Sequence, residues 1–349
     1  LLFNYIILSC CTKFQEDRST SAVFHLLKGK RSIQTVQDAH IYELNHFYGI
    51  YPTLSKHDFE VHVQQLIKNN DLALKGDNTA IVTRKGENWI NQEAINVSGC
   101  YFHGMEYSRY APVFWQRLLL MIQTMTNSKR HHFNFIPVID KTEITDWVRK
   151  QYRLWKYDTS LFLNKLYSEL FHLLNQFDTT EASIFVDSLT GYNHYGMSSF
   201  QIAERYGLEQ VDVPLIRTST IHRMLMLISQ NEQHTPLLKH FLQDLTHEAK
   251  VTNSANKTKQ FMAKGYSAEN IASIRQLKLN TIYDHMVEIA LYDKAFPLGH
   301  YVTPDIQAQI RAAIAAADSY KLKDIKQHVS ASISYFQIRL VLATDKITW

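Results

Sequence analysis

A mainly helical fold is what this chain predicts, and three observations carry that expectation. It has 11 Gly and 7 Pro in 349 residues, too little turn punctuation for an all-β protein. It lacks long alternating runs of Val, Ile and Thr. Stretches such as APVFWQRLLLMIQTM, ITDWVRKQYRLW and LFLNKLYSELFHLLNQF repeat apolar residues at i, i+3 and i+4, the spacing of one helix face. The length exceeds what one core usually serves, so two or three domains are expected. Apolar residues make up 45% of the chain and charged residues 20%, an ordinary globular composition.

The first unit, residues 1–95, is expected to be winged-helix-like. LLFNYIILSCC is apolar but short, without a basic leader or a small-residue cleavage site. It fits a buried first helix rather than a signal peptide or a membrane span. Phe3 to Phe14 and Ser21 to Leu27 read as helices, and Ile33, Val36 and Ile41 space out a further apolar face. Ser55 with Asp58 resembles a capping box, followed by the stripe Phe59, Val63, Leu66 and Ile67. LALKGDNTAIVTRKG then sets a Lys-Gly-Asp-Asn turn between two β-prone runs, the signal of a hairpin. If this unit touches nucleic acid, Lys28, Lys30 and Arg31 in the loop and Arg84 and Lys85 at the wing are the cations placed to do it. The alternative is a protein-docking module, since its charge is balanced.

Residues 100–247 read as a helical middle domain. Trp115, Trp147 and Trp155 sit at helical spacing and are expected in its core rather than on a base-stacking platform. MSSFQIAERYGLEQVDVPLIRTSTIHRMLMLI resembles a helix-turn-helix, with Ser198 and Ser199 as caps, Ile202 and Ala203 inward, and a second helix over Thr218 to Ile228. The polar stretch from about 243 to 258 reads as a linker.

The last unit, residues 258–349, contains SAENIASIRQLKLNTIYDHM. Ser267 starts one helix, Ile271, Ala272 and Ile274 turn inward, and Ala272 is small where a second helix must cross. Leu277 and Leu279 flank the corner, and Ile282, Met286 and Ile289 anchor the second helix. Arg275 and Lys278 stand at the corner, where a phosphate could be held. Asn280, Thr281 and Tyr283, with His285, complete the expected DNA-contacting set. Asp284, Val287 and Glu288 are expected near the same outer face, and two carboxylates one turn apart would repel a phosphate backbone. A helix docked on protein therefore stays open as an alternative. From Lys250 onward there are 13 Lys/Arg against 8 Asp/Glu, so the basic excess of a chain with net charge +4 lies in this last third.

The segment KTKQFMAKGYSAENIASIRQLKLNTIYDHMVEIA, with ISYFQIRLVLA after it, resembles the helicase helix-turn-helix domain found at the C-terminal end of many RecQ-type helicases. The whole chain, including HLLKGKRSIQTVQDAH, resembles the YpbB-type proteins of Gram-positive bacteria, whose genes lie beside one for a RecQ-like helicase. The resemblance implies an accessory role in DNA repair or recombination, with DNA and a RecQ-like helicase as partners. It supplies no catalytic residues. A transcription regulator and a pure protein adaptor remain the alternatives.

Enzyme signals are weak throughout. KGKRS at Lys28 to Ser32 lacks the earlier Gly of a phosphate-binding loop and has Arg31 where Ser or Thr is needed. HEAKV puts Val251 where a zinc protease needs its second His, and His131-His132 has no ligand partners at metal spacing. No cofactor, metal, small-molecule substrate or membrane partner is expected. Cys10, Cys11 and Cys100 form no CxxC pair, which points to a reducing, cytoplasmic setting.

Overall fold

A computed structural model describes residues 1–75, 79–245 and 251–345. The fold is mainly helical, with one small antiparallel sheet among the described residues. The chain opens with helices Leu2–Phe14, Thr20–Leu27, Ile33–Ile41 and Lys56–Lys68. Their starts are chemical. Ser32 accepts the amide of Thr35, and Ser55 accepts that of Asp58 at 3.0 Å, each satisfying a donor that the helix leaves open. Strands Leu72–Lys75 and Thr79–Val82 then pair antiparallel, with Leu72 opposite Val82. The expected Gly-Asp-Asn turn between them lies outside the described residues. Thr83 caps a further helix, Arg84–Val97, through the amide of Gly86. Arg84 and Lys85, expected at the wing, thus occupy the first turn of the helix that follows the hairpin.

The middle is built on helices Ala111–Lys129, Thr142–Trp155, Thr159–Leu174 and Asp212–Gln230 around Phe114, Leu118, Met121, Phe162, Leu173 and Met224. Trp147 packs on Phe241 and Trp155 on Phe162, with ring centroids 4.9 and 5.5 Å apart, while Trp115 packs on Phe185. All three tryptophans are partly buried against this core, as their spacing predicts. Arg117, itself buried, donates to both carboxylate oxygens of Asp244 and to the carbonyl of Phe241, closing the end of the middle onto its first long helix. The short helix Ser199–Tyr206 has a reciprocal Ser198/Gln201 capping box and ends on left-handed Gly207. Its partner begins at Asp212, six residues before the expected Thr218, because Pro214 falls in the first turn, where a missing amide costs nothing.

The segment expected to be a linker is partly ordered. Residues 246–250 lie outside the described set, but Thr252 caps a helix, Asn253–Ala263, over the last part of it. That helix leads to Ala268–Arg275, Leu279–Tyr292, Pro304–Ala317, Leu322–Gln327 and Tyr335–Asp345.

The two ends of the chain share one hydrophobic core. Leu2, Phe3, Ile6, Leu26, Ile41 and Phe59 from the N-terminal helices and Val287, Leu291, Ile310, Ile338 and Leu342 from the C-terminal ones belong to a single cluster. Each fully buried side chain of this size contributes about 1.5–3 kcal/mol relative to exposure. Polar contacts cross the same seam. Gln37 donates to the carbonyl of Arg339 at 3.0 Å across 302 residues of sequence, and Asp17 accepts from Ser319 Oγ and the amide of Tyr320. The middle is tied in by Asp212, whose carboxylate accepts the amides of Leu2 and Phe3.

His222, on helix Asp212–Gln230, fixes the segment that enters the middle, accepting the amide of His103 on Nδ1 at 3.2 Å. Burial, and then the positive field of His103, push its pKa from 6.5 down to about 3. The unfolded chain takes up this proton first, so the contribution of His222 is complete above the unfolded value of 6.5 and is lost as pH falls below it. In denaturant titrations, His222→Asn, which retains an acceptor for the His103 amide, should remove about 2 kcal/mol of the stability lost between roughly pH 6.5 and 5. Identical pH slopes for the two proteins would show that His222 is not held neutral.

Candidate nucleic-acid interface

The helix-turn-helix begins as its sequence predicts. Ser267 accepts the amide of Asn270, and Ile271 and Ala272 are buried at the crossing. Helix Ala268–Arg275 stops at Gln276, which takes a left-handed φ of 53°, and the amide of Leu277 returns to the carbonyl of Ala272. Ile274, expected inward, is half exposed. Helix Leu279–Tyr292 follows, with Ile282, Met286 and Ile289 inward.

The rest of that second helix is not free to lie along a groove. Helices Asn253–Ala263, Ala268–Arg275, Tyr335–Asp345 and Ile33–Ile41 all pack on it. Val287, expected on an outer face, is fully buried in the core shared by the two ends of the chain. The two carboxylates are also engaged within the fold. Glu288 accepts the amide of Thr252 at 2.6 Å and its hydroxyl at 3.0 Å, orienting the cap of helix Asn253–Ala263. Asp284 accepts from Arg339 at 2.7 Å. The expected phosphate repulsion is thereby weakened, because each carboxylate has an internal donor.

Several residues expected to contact DNA are likewise drawn inward. Arg275 donates to the carbonyl and hydroxyl of Ser254, at 2.9 and 3.0 Å, and to the hydroxyl of Thr258. That hydroxyl lies 2.9 Å from Nδ1 of His285, which is buried. Burial first, and the Arg275 charge second, hold the His285 pKa below its ordinary value. Tyr283 stacks on Phe336 with centroids 4.0 Å apart. Lys278 and Asn280 are exposed and Thr281 is half-buried, all in the turn that opens the second helix. No side chain caps this helix at Lys278, and the amide of Thr281 turns back to the carbonyl of Lys278 at 2.9 Å.

The N-terminal cations divide. Lys85 pairs with Asp71 at 3.3 Å, and Arg84 beside it is exposed. Lys28 donates to the carbonyl of Leu54, while Lys30 and Arg31 are exposed. Lys28 and Arg31 line a cleft of about 1120 Å³ together with Arg109 of the middle and Lys294 beyond the second helix. Sequence reasoning missed Arg109 and Lys294. No local motif marks Arg109, and Lys294 was detectable only as a cation just past a helix end.

Residues 254–342 match a helix-turn-helix domain family, the part of the chain built around these two helices. Over its whole length the chain resembles protein YpbB of Bacillus subtilis (strain 168), with 33% identity over 343 residues, covering 97% of this chain and 96% of that protein. No solved structure matches.

The arrangement predicts opposite behaviour for the two corner cations. Lys278→Ala should leave the melting temperature unchanged and reduce the slope of log K against log salt for duplex DNA by about 0.9. Arg275→Ala should lower stability by roughly 1–3 kcal/mol, because Thr258 and His285 lose a buried donor, with the salt slope kept. A large salt-slope change for Arg275→Ala at unchanged stability would reverse the assignment.

Proposed function

The chain belongs to the YpbB family, and from that premise we propose that it is a non-catalytic DNA-binding accessory factor of a RecQ-like helicase, acting in DNA repair or recombination. One observation carries the DNA part. The turn that opens the second helix of the helix-turn-helix presents Lys278, Asn280 and Thr281, while both carboxylates of that helix are occupied within the fold. Such a turn meets a phosphate end-on, with a cation and helix amides. It reads shape and charge, because in the next turn Tyr283 is stacked on Phe336 and Asp284 is held by Arg339.

The helicase part rests on the likeness of the C-terminal segment to the helicase-type helix-turn-helix and on the absence of a phosphate-binding loop in the sequence, which leaves motor activity to a partner. Among the described residues no three His, Cys, Asp or Glu side chains gather as a metal site, and no helix is long and apolar enough to cross a membrane. The burial of the second helix favours this accessory role over an operator-reading regulator, which needs successive turns of a helix in the major groove.

Reconstitution tests the reading. With the RecQ-like helicase of the same organism, the full chain should co-elute in size-exclusion chromatography and alter unwinding of a forked duplex, while hydrolysing no ATP by itself. Selection from genomic fragments should return no sharp consensus. A single strong sequence motif, or unchanged unwinding without a complex, would contradict the accessory role.

A further inference from the structure

The cleft at the junction of the three parts is built with unusual tightness. Gly29 and Gly49 both take left-handed φ values, 68° and 69°, and a Cβ on Gly29 would stand 2.8 Å from the Cα of Gly49. A Cβ on Gly104 would stand 1.9 Å from the carbonyl oxygen of Tyr48. Three backbones from two parts of the chain therefore meet where only glycine fits. The segments they belong to supply Lys28, Arg31 and Arg109 to the lining, and Lys294 joins them from just beyond helix Leu279–Tyr292.

Four cations in the lining, Lys28, Arg31, Arg109 and Lys294, face three carboxylates, Glu43, Glu106 and Glu288. Glu43 pairs with Lys13 at 2.9 Å and Glu288 is hydrogen-bonded to Thr252, which leaves Glu106 as the carboxylate without a cationic partner among the described residues. Arg31 and Lys294 are exposed and make no ion pair among the described residues. The lining is also aromatic: His46, His103, Tyr110 and Tyr292 border it, and His103 already stacks on Tyr101 at 4.6 Å and 14°. Cations beside flat rings are what a single nucleic-acid strand recruits, phosphates on one and bases on the other. At about 1120 Å³ the cleft exceeds the ordinary range for a small-molecule pocket.

We propose that this cleft binds a single strand of DNA, its phosphates on Arg31, Arg109 and Lys294 and its bases against His46, His103 and Tyr110. The site is distinct from the helix-turn-helix corner. It rests on the reading of the protein as a DNA binder but uses different residues.

The test measures fluorescence anisotropy of the full chain with a labelled oligothymidylate of about 20 nucleotides, a blunt duplex of about the same length and an acidic peptide. Arg31→Ala/Lys294→Ala should weaken oligothymidylate binding on the order of tenfold near ~0.1 M salt and lower the salt slope by about 1.4, roughly 0.7 per cation, leaving duplex binding unchanged. Lys278→Ala should do the reverse. Should the double variant fold poorly, a bromodeoxyuridine oligonucleotide crosslinked to the unaltered protein decides, with adducts expected on peptides holding His46, His103 or Tyr110. Oligothymidylate that binds the double variant as tightly as the parent, adducts confined to other peptides, or cleft-dependent binding of the acidic peptide alone would overturn the proposal. Loss of duplex binding with the single-strand site intact would count instead against the helix-turn-helix corner.

Discussion

Everything distinctive in this molecule depends on how completely helix Leu279–Tyr292 is enclosed. In a free helix-turn-helix the second helix keeps one face for its target. Here the helices before and after it in the C-terminal part cover it, and Ile33–Ile41, from near the other end of the chain, covers it further. Polar residues hold that enclosure in register. Arg339 reaches Asp284 on the enclosed helix while Gln37 donates to the carbonyl of Arg339, so three segments are joined through one side chain and its backbone. Arg339 is largely buried, so removing Asp284 would leave a poorly solvated guanidinium, and such a loss costs more than a surface ion pair ever contributes.

On the two binding readings proposed above, the enclosed helix is a strut with two working ends. At its start, Lys278 and Asn280 are exposed. At its far end, Glu288, Leu291 and Tyr292 form part of the cleft wall, with Lys294 just beyond. Fourteen residues of α-helix span about 20 Å, so the two ends are several nucleotides apart along a strand. If the corner meets duplex and the cleft a single strand, as proposed, such a rigid spacer suits a protein that works where a duplex opens.

Much of this was legible in the sequence, and the failures have a common physical origin. Caps such as Ser55, Ser198 and Ser267, and the anchors Ile282, Met286 and Ile289, are local, and local chemistry decided them. Periodicity marks which face is apolar, not how many neighbours arrive. Val287, Ala290 and Leu291 widen the apolar face well beyond the stripe of Ile282, Met286 and Ile289, leaving only the narrow polar strip of Asn280, Asp284 and Glu288, and that signal of extra neighbours was present in the residues. The partners of Glu288 and Arg275 come from Thr252, Ser254 and Thr258, in a segment whose polar composition reads as a linker. Those polar groups are capping and hydrogen-bonding a packed helix instead. The cleft was invisible for a different reason: Lys28, Arg109 and Lys294 lie far apart in sequence and meet only through the glycine contacts and the shared core.

Hydrogen exchange along this one helix, in the full chain with and without duplex DNA, tests the account most directly. The enclosed-strut account predicts that amides from Ile282 to Leu291 exchange slowly in the free protein and do not change on DNA binding, while those from Gln276 to Thr281 slow when DNA is added. Fast exchange around Tyr283 and Val287 in the free protein, with protection appearing there only on duplex binding, would mean that the helix leaves its core to enter a groove, and would contradict it.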